Sequence, residues 1–195
     1  MTPEEVQRMT PEERVAAIAD RYADILALVG EDPTREGLVK TPVRAAKALW
    51  YCTGGYRADA RAVMQGALFD AEGSRIVTVR DIEFYSMCEH HILPFFGTVS
   101  IAYIPGDKIV GLSKMARIVN IYARRLQVQE RFTSQLCREV MDAIGARGVL
   151  VKCTAEHLCM KMRGVEKQLT ATVTTDYAGI LATDPALRAE ALALL

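Results

Sequence analysis

Thr98-Val-Ser-Ile-Ala-Tyr-Ile104, followed by Pro105-Gly106-Asp107, alternates cleanly: Val99, Ile101 and Tyr103 fall on one face, Thr98, Ser100 and Ala102 on the other. A period of two ended by a Pro-Gly-Asp turn predicts a strand with one face turned to a core. Immediately upstream, 76–84 is rich in β-branched residues and predicts a partner strand. Downstream the period changes. Ser113 reads as the N-cap of a helix carrying Met115, Ile118, Val119 and Tyr122. A second helix follows, with Val128, Phe132, Leu136, Val140 and Ile144 spaced four apart and Gly145 as its stop. Two further strands are expected at 149–156 and 169–177, and Pro185 opens a short terminal helix.

The order β-β-α-α-β-β predicts an α+β fold in which four strands form one antiparallel sheet with two helices on one face. The other face and the sheet edges then need cover from another subunit. The first third is helical. Thr10-Pro11-Glu12-Glu13 is a capping-box pattern with proline at the first helical position, and Val15, Ile18, Tyr22, Ile25 and Val29 recur at helical spacing as far as Gly30. Thr41-Pro42 starts a second helix that runs to about Cys52. An N-terminal helical region at 1–73 and a sheet-forming region at 74–195 are therefore expected within one structural unit.

The chain has 195 residues, half of them apolar, with 24 basic and 24 acidic side chains. That balance gives no global field to attract nucleic acid or an anionic membrane, so any bound anion must be held by local clusters. The N-terminal stretch is acidic, without a long apolar run, and predicts neither a secretory signal nor a membrane span. Five cysteines, an odd number, favour a reducing compartment, and the cytoplasm is the expected location.

All three histidines lie beside cysteines, in Cys88-Glu89-His90-His91 and His157-Leu158-Cys159. Thiolate and imidazole are the ligands zinc prefers, and Cys-x-x-His is a workable bite for one ion. Residues two apart on a strand face one side, so His157 and Cys159 are expected to point together. Isolated, such a pair is more often a buried cysteine near a histidine; two pairs that use every histidine predict a metal. Ligand count stays open at this level. Four ligands (Cys88, His90 or His91, His157, Cys159) close a structural site, whereas three leave a position for water and free the other histidines for proton transfer.

A second constellation is Ser113-Lys114-Met115-Ala116-Arg117. Lys114 and Arg117 share a helix face in the first turns, where cations oppose the macrodipole unless an anion sits there. A solvated basic face is the plainer alternative. Arg163 is a third cation for the same anion, and Gln129-Glu130 opens the following helix, where a carboxylate can accept N–H groups of a purine. The common phosphate loops, Gly-x-x-x-x-Gly-Lys-Ser/Thr and Gly-x-Gly-x-x-Gly, are absent.

Four segments in order, Ser86-Met-Cys-Glu-His-His-Ile-Leu-Pro94, Gly111-Leu-Ser-Lys-Met-Ala-Arg-Ile-Val119, Arg125-Leu-Gln-Val-Gln-Glu-Arg131 and His157-Leu-Cys-Met-Lys-Met-Arg-Gly164, resemble GTP cyclohydrolase I. Gly30-Glu-Asp-Pro-Thr-Arg-Glu-Gly37 and Thr41-Pro-Val-Arg44 look like the same family. The resemblance implies the tunnelling fold and a zinc with three protein ligands, Cys88, His91 and Cys159. It leaves His90 and His157 as catalytic proton-transfer groups. It implies that Glu130, with Gln129 beside it, holds guanine, and that Ser113, Lys114, Arg117, Arg163 and Arg44 hold the triphosphate of GTP. It further implies a homodecamer with sites at subunit interfaces, Arg44 serving a neighbouring subunit, and a product, 7,8-dihydroneopterin triphosphate, formed with release of formate on the way to folate or other pterins. Leu169-Thr170 departs from the family, which usually carries Asn-Ser or Gly-Ser there.

Three rivals make different predictions. A closed structural zinc needs a fourth protein ligand. Another tunnelling-fold enzyme acting on a pterin or deazapurine needs other catalytic residues. A redox pair needs Cys88 and Cys159 joined.

Overall fold

A computed structural model describes residues 1–73 and 75–195. The expected regional boundary at Ser74 lies outside the described residues. Contacts divide the chain into two compact units, Met1–Thr53 and Gly54–Leu195.

The first unit contains α1 (Pro3–Arg8), α2 (Pro11–Leu28) and α3 (Thr41–Cys52). The Thr10/Glu13 capping box forms: Thr10 Oγ1 accepts from Glu13 N–H, and Glu13 accepts from Thr10 N–H. This satisfies two N–H groups that helix geometry leaves without partners. Gly30 follows α2 at φ +90°, a left-handed conformation suited to glycine. Helices α2 and α3 pack together and bury Ala19 and Ala46.

In the second unit, a 3-10 turn at Gly54–Arg57 and α4 (Ala60–Gln65) precede β1 (Leu68–Asp70), β2 (Val77–Cys88), β3 (Pro94–Ile104) and β4 (Lys108–Val110). There follow α5 (Leu112–Ala123), β5 (Leu126–Gln127), α6 (Gln129–Ile144), β6 (Gly148–His157), α7 (Leu158–Lys161), β7 (Thr172–Gly179), α8 (Ile180–Thr183) and α9 (Pro185–Ala193). The main sheet has the order β5-β2-β3-β6-β7. Its four long strands are antiparallel, as the periodicity predicts. The two-residue β5 adds a parallel edge beside β2, and β1 pairs with β4 in a separate ribbon. These short pieces carry too few residues to show a period.

Helices α5 and α6 lie on one face, α5 against β2 and α6 against β6 and β7. Val99, Ile101 and Tyr103 point into this layer, with at most 1% exposure. Gly97 permits close strand approach, since a Cβ there would sit 2.0 Å from the Thr154 carbonyl oxygen. Phe84, Phe95 and Phe132 form the aromatic centre, the Phe84 and Phe132 rings 4.9 Å apart. Phe132→Ala will lower the unfolding free energy by about 3–5 kcal/mol, read by denaturant unfolding at fixed protein concentration.

The opposite face is partly covered by the chain itself, where Leu181 and Ala191 pack with Ala102, Ile104 and Leu150. Beyond that cover, Tyr85, Val173 and Tyr177 are exposed. Two local expectations are corrected. Ser113 is not an N-cap, because Gly111 takes that position and no side chain caps α5; Gly111 N–H is tied to the Ala67 carbonyl, and the helix starts two residues earlier than expected. Cys159 is not on a strand either, since β6 ends at His157 and Cys159 lies in the single turn of α7.

Candidate metal centre and active site

The β2–β3 connection carries the first half of the site. Cys88 N–H donates to Leu93 O and Ile92 N–H to Cys88 O, both at 2.8 Å, closing a tight turn around Glu89, His90 and His91. Ile92 adopts φ +52°, unusual for a β-branched residue and a local strain of about 1–3 kcal/mol. A second tie comes from β5, because Glu89 N–H donates to Gln127 O at 3.0 Å. Arg131 braces the same turn by an ion pair with Glu89, while its Nε donates to Gln127 Oε1 and its Nη2 to Leu126 O. That guanidinium lowers the Glu89 pKa through hydrogen bonding and charge, leaving it a carboxylate.

The second half arrives on α7. One ligand atom each from Cys88, His91 and Cys159 lies within 4.8 Å of the others, although 71 positions separate the two cysteines. Cys88 Sγ is 3.8 Å from His91 Nδ1 and 3.9 Å from His90 Nδ1. Both cysteines are free thiols. Burial pushes the Cys159 thiol up, and the Cys88 sulfur pushes it further, with Arg163 partly offsetting both. Two sulfurs crowded in this way resist ionising together unless a cation neutralises them. The donor set, two sulfurs and an imidazole, suits a thiophilic divalent ion such as zinc.

His157 stands outside this triangle. Its Nε2 is 2.8 Å from Gln129 Oε1, and its ring stacks on Phe95 with centroids 4.6 Å apart and planes 3° from parallel. Burial lowers the His157 pKa, and the charge of Glu130 works the other way. Glu130 itself sits exposed in the first turn of α6, while Gln129 is 2% exposed. Gln129, expected beside the guanine ligand, thus turns its side chain inward to His157 and to the β6–β7 backbone.

The expected phosphate ligands are spread over three elements. Ser113, Lys114 and Arg117 lie on the first two turns of α5, Arg163 follows α7, and Arg44 is on α3 of the first unit. Among the described residues their side chains make no hydrogen bond or ion pair, and those of Lys114, Arg117, Arg163 and Arg44 are cationic. Leu169, on the loop after α7, is 98% exposed. The bracing role of Arg131 and the stacking role of Phe95 had no signal in the sequence, since their partners Glu89 and His157 are 42 and 62 positions away.

An antiparallel sheet backed by two helices defines a tunnelling-fold protein, and the two cysteines and one histidine gathered at its strand ends could hold a metal ion. A family model described as GTP cyclohydrolase I matches residues 18–195, and the chain belongs to that family. A GTP cyclohydrolase 1 of Deinococcus radiodurans is 54% identical over 165 residues, covering 85% of this chain and 76% of that protein. One of Porphyromonas gingivalis is 49% identical over 168 residues, with 86% and 87% covered. One of Drosophila melanogaster is 49% identical over 186 residues, with 95% and 57% covered. A solved archaeosine synthase QueF-Like protein in the apo form is a weaker likeness, at 18% identity and a TM-score of 0.43 over 55% of this chain and 97% of that one. Among the described residues, no helix is long and apolar enough to cross a membrane.

Proposed function

We propose that this chain hydrolyses GTP at C8 of the guanine ring, releases formate, and yields 7,8-dihydroneopterin triphosphate. The observation that carries this reading is the Cys88/His91/Cys159 triangle with His157 held beside it and outside it. Three protein ligands fit a catalytic ion and not a closed structural one. Zinc, when bound there, supplies a Lewis acid that lowers the pKa of water toward neutrality.

The chain's own residues do the rest. Glu130 accepts N–H groups of the guanine and fixes its edge. Ser113, Lys114, Arg117 and Arg163, with Arg44 from a neighbouring subunit, neutralise the triphosphate. His157 and His90 move protons to and from the ring as its imidazole opens to a formamide and the formyl group leaves as formate. The exposed apolar side chains of the sheet's second face, Tyr85 and Val173, support assembly into a homo-oligomer, taken to be a decamer, with sites at subunit interfaces. The proposed setting is cytoplasmic pterin or folate synthesis.

Zinc-loaded, assembled protein incubated with GTP should release one formate per product, and the product should fluoresce after oxidation. Absence of formate from such a sample would overturn the proposal. Arg117→Ala should raise KM for GTP about tenfold to a hundredfold, as loss of one hydrogen bond to a charged group predicts, with kcat changed much less; steady-state kinetics reads it.

A further inference from the structure

We infer that Gln129 is a positioning residue that locks His157 as the Nε2–H tautomer and leaves Nδ1 as the nitrogen that meets substrate. This rests on the proposed function for what His157 does, and on the hydrogen-bond polarity alone for its tautomer.

The polarity is determined step by step. The Gln129 amide nitrogen lies 3.2 Å from the Cys153 carbonyl oxygen and 3.0 Å from the Thr172 carbonyl oxygen. Carbonyl oxygens only accept, so the –NH2 end of the amide must face them. Its third neighbour, Thr174 Oγ1 at 3.2 Å, agrees. Thr133 Oγ1 donates to Gln129 O at 2.8 Å, so in the 2.7 Å contact between the two threonines Thr174 is the donor. Thr174 Oγ1 is then left to accept from Gln129, sharing one of the two amide hydrogens with a carbonyl. With the nitrogen end so committed, Oε1 faces His157 Nε2 at 2.8 Å. An amide oxygen cannot donate, so the imidazole proton sits on Nε2.

Nδ1 is the ring's remaining nitrogen. Among the described residues it makes no hydrogen bond, and it is not one of the buried polar atoms left without a partner, so it is reachable from outside. Phe95, fully buried and paired opposite His157 across β3 and β6, holds the plane of the ring. Together the amide fixes rotation about the ring axis and the phenyl fixes tilt. A histidine in one tautomer and one orientation offers its free nitrogen without paying to reorganise at each turnover.

Three histidines in the chain make the test direct. Zinc-loaded, assembled protein labelled with 15N-histidine should show, by solid-state NMR at a pH where the rings are neutral, a protonated Nε2 and an unprotonated Nδ1 for the ring whose signals vanish in His157→Ala. A protonated Nδ1 on that ring in the wild-type protein would overturn the inference. Gln129→Met, close in volume but unable to accept from His157, should give a mixture of both tautomers. It should also lower kcat about tenfold to a hundredfold with KM for GTP within about threefold of wild type, and zinc content unchanged. If Gln129→Met instead raises KM and leaves kcat and the tautomer intact, its side chain is a substrate ligand and the inference falls. A wild-type protein that shows the Nε2–H tautomer but releases no formate would remove the proposed function and leave the positioning role standing.

Discussion

Cys159→Ser will give a folded, assembled protein that retains no zinc after dialysis and has no measurable formate release. Wild type should hold about one zinc per subunit. The expectation follows from the crowding of the site. The Cys159 thiol is pushed up by burial and by Cys88, so its thiolate form depends on a cation being present. A serine hydroxyl at this place does not ionise near neutrality, and Cys88 with His91 alone provides only two ligands. Cys159 packs only from a short, half-exposed helical turn against the edge of the core that contains Phe84 and Phe132, and serine is slightly smaller than cysteine, so the fold should survive the exchange. Metal analysis and circular dichroism on the same sample separate metal loss from unfolding. Full zinc retention in Cys159→Ser would show that the metal is held elsewhere.

His157→Ala will keep its zinc and lose turnover by about a hundredfold to ten-thousandfold, the usual worth of a positioned general acid or base. Its Nε2 is committed to Gln129 at 2.8 Å, and its ring stacks on Phe95 outside the cysteine–histidine triangle. The substrate contacts proposed for Glu130, Lys114 and Arg117 do not involve His157, so KM should move little while kcat collapses. Loss of zinc from His157→Ala would instead favour a closed four-ligand site. The contrast between the two variants, one losing metal and one losing only rate, is the sharpest division of the site into ligands and proton-transfer groups.

Long periodic elements were legible from one dimension. The Thr98–Ile104 strand, the helix ending at Ile144 and the Thr10 capping box all appear as expected, because each depends on neighbours within a few residues, although Ser100, Ala102 and Ile104 on the strand's second face are buried too. Elements of two to four residues were not legible. Strand β5 exists because Leu126 and Gln127 meet Met87 and Cys88 at the sheet edge, and α7 interrupts what alternation would have continued through Cys159. Ser113 shows the same limit, since a backbone bond from Gly111 to Ala67, far upstream, decided where α5 begins.

For the site, residue chemistry alone pointed to a metal, because every histidine neighbours a cysteine, and the quoted motifs pointed to a particular ligand set. Local pattern can name such donors since zinc selects sulfur and imidazole wherever the chain supplies them. Tertiary structure alone decided which donors meet. Pairing of β3 with β2 on one side and β6 on the other carries the Cys88 turn to the end of β6 and closes a triangle across 71 positions. It also turned Gln129 inward, where two carbonyls dictate its orientation and, through it, the proton on His157. Hydrogen-bond direction depends on atoms a few ångströms apart in space and unrelated in sequence, which is why that part of the site could be read only after the chain had folded.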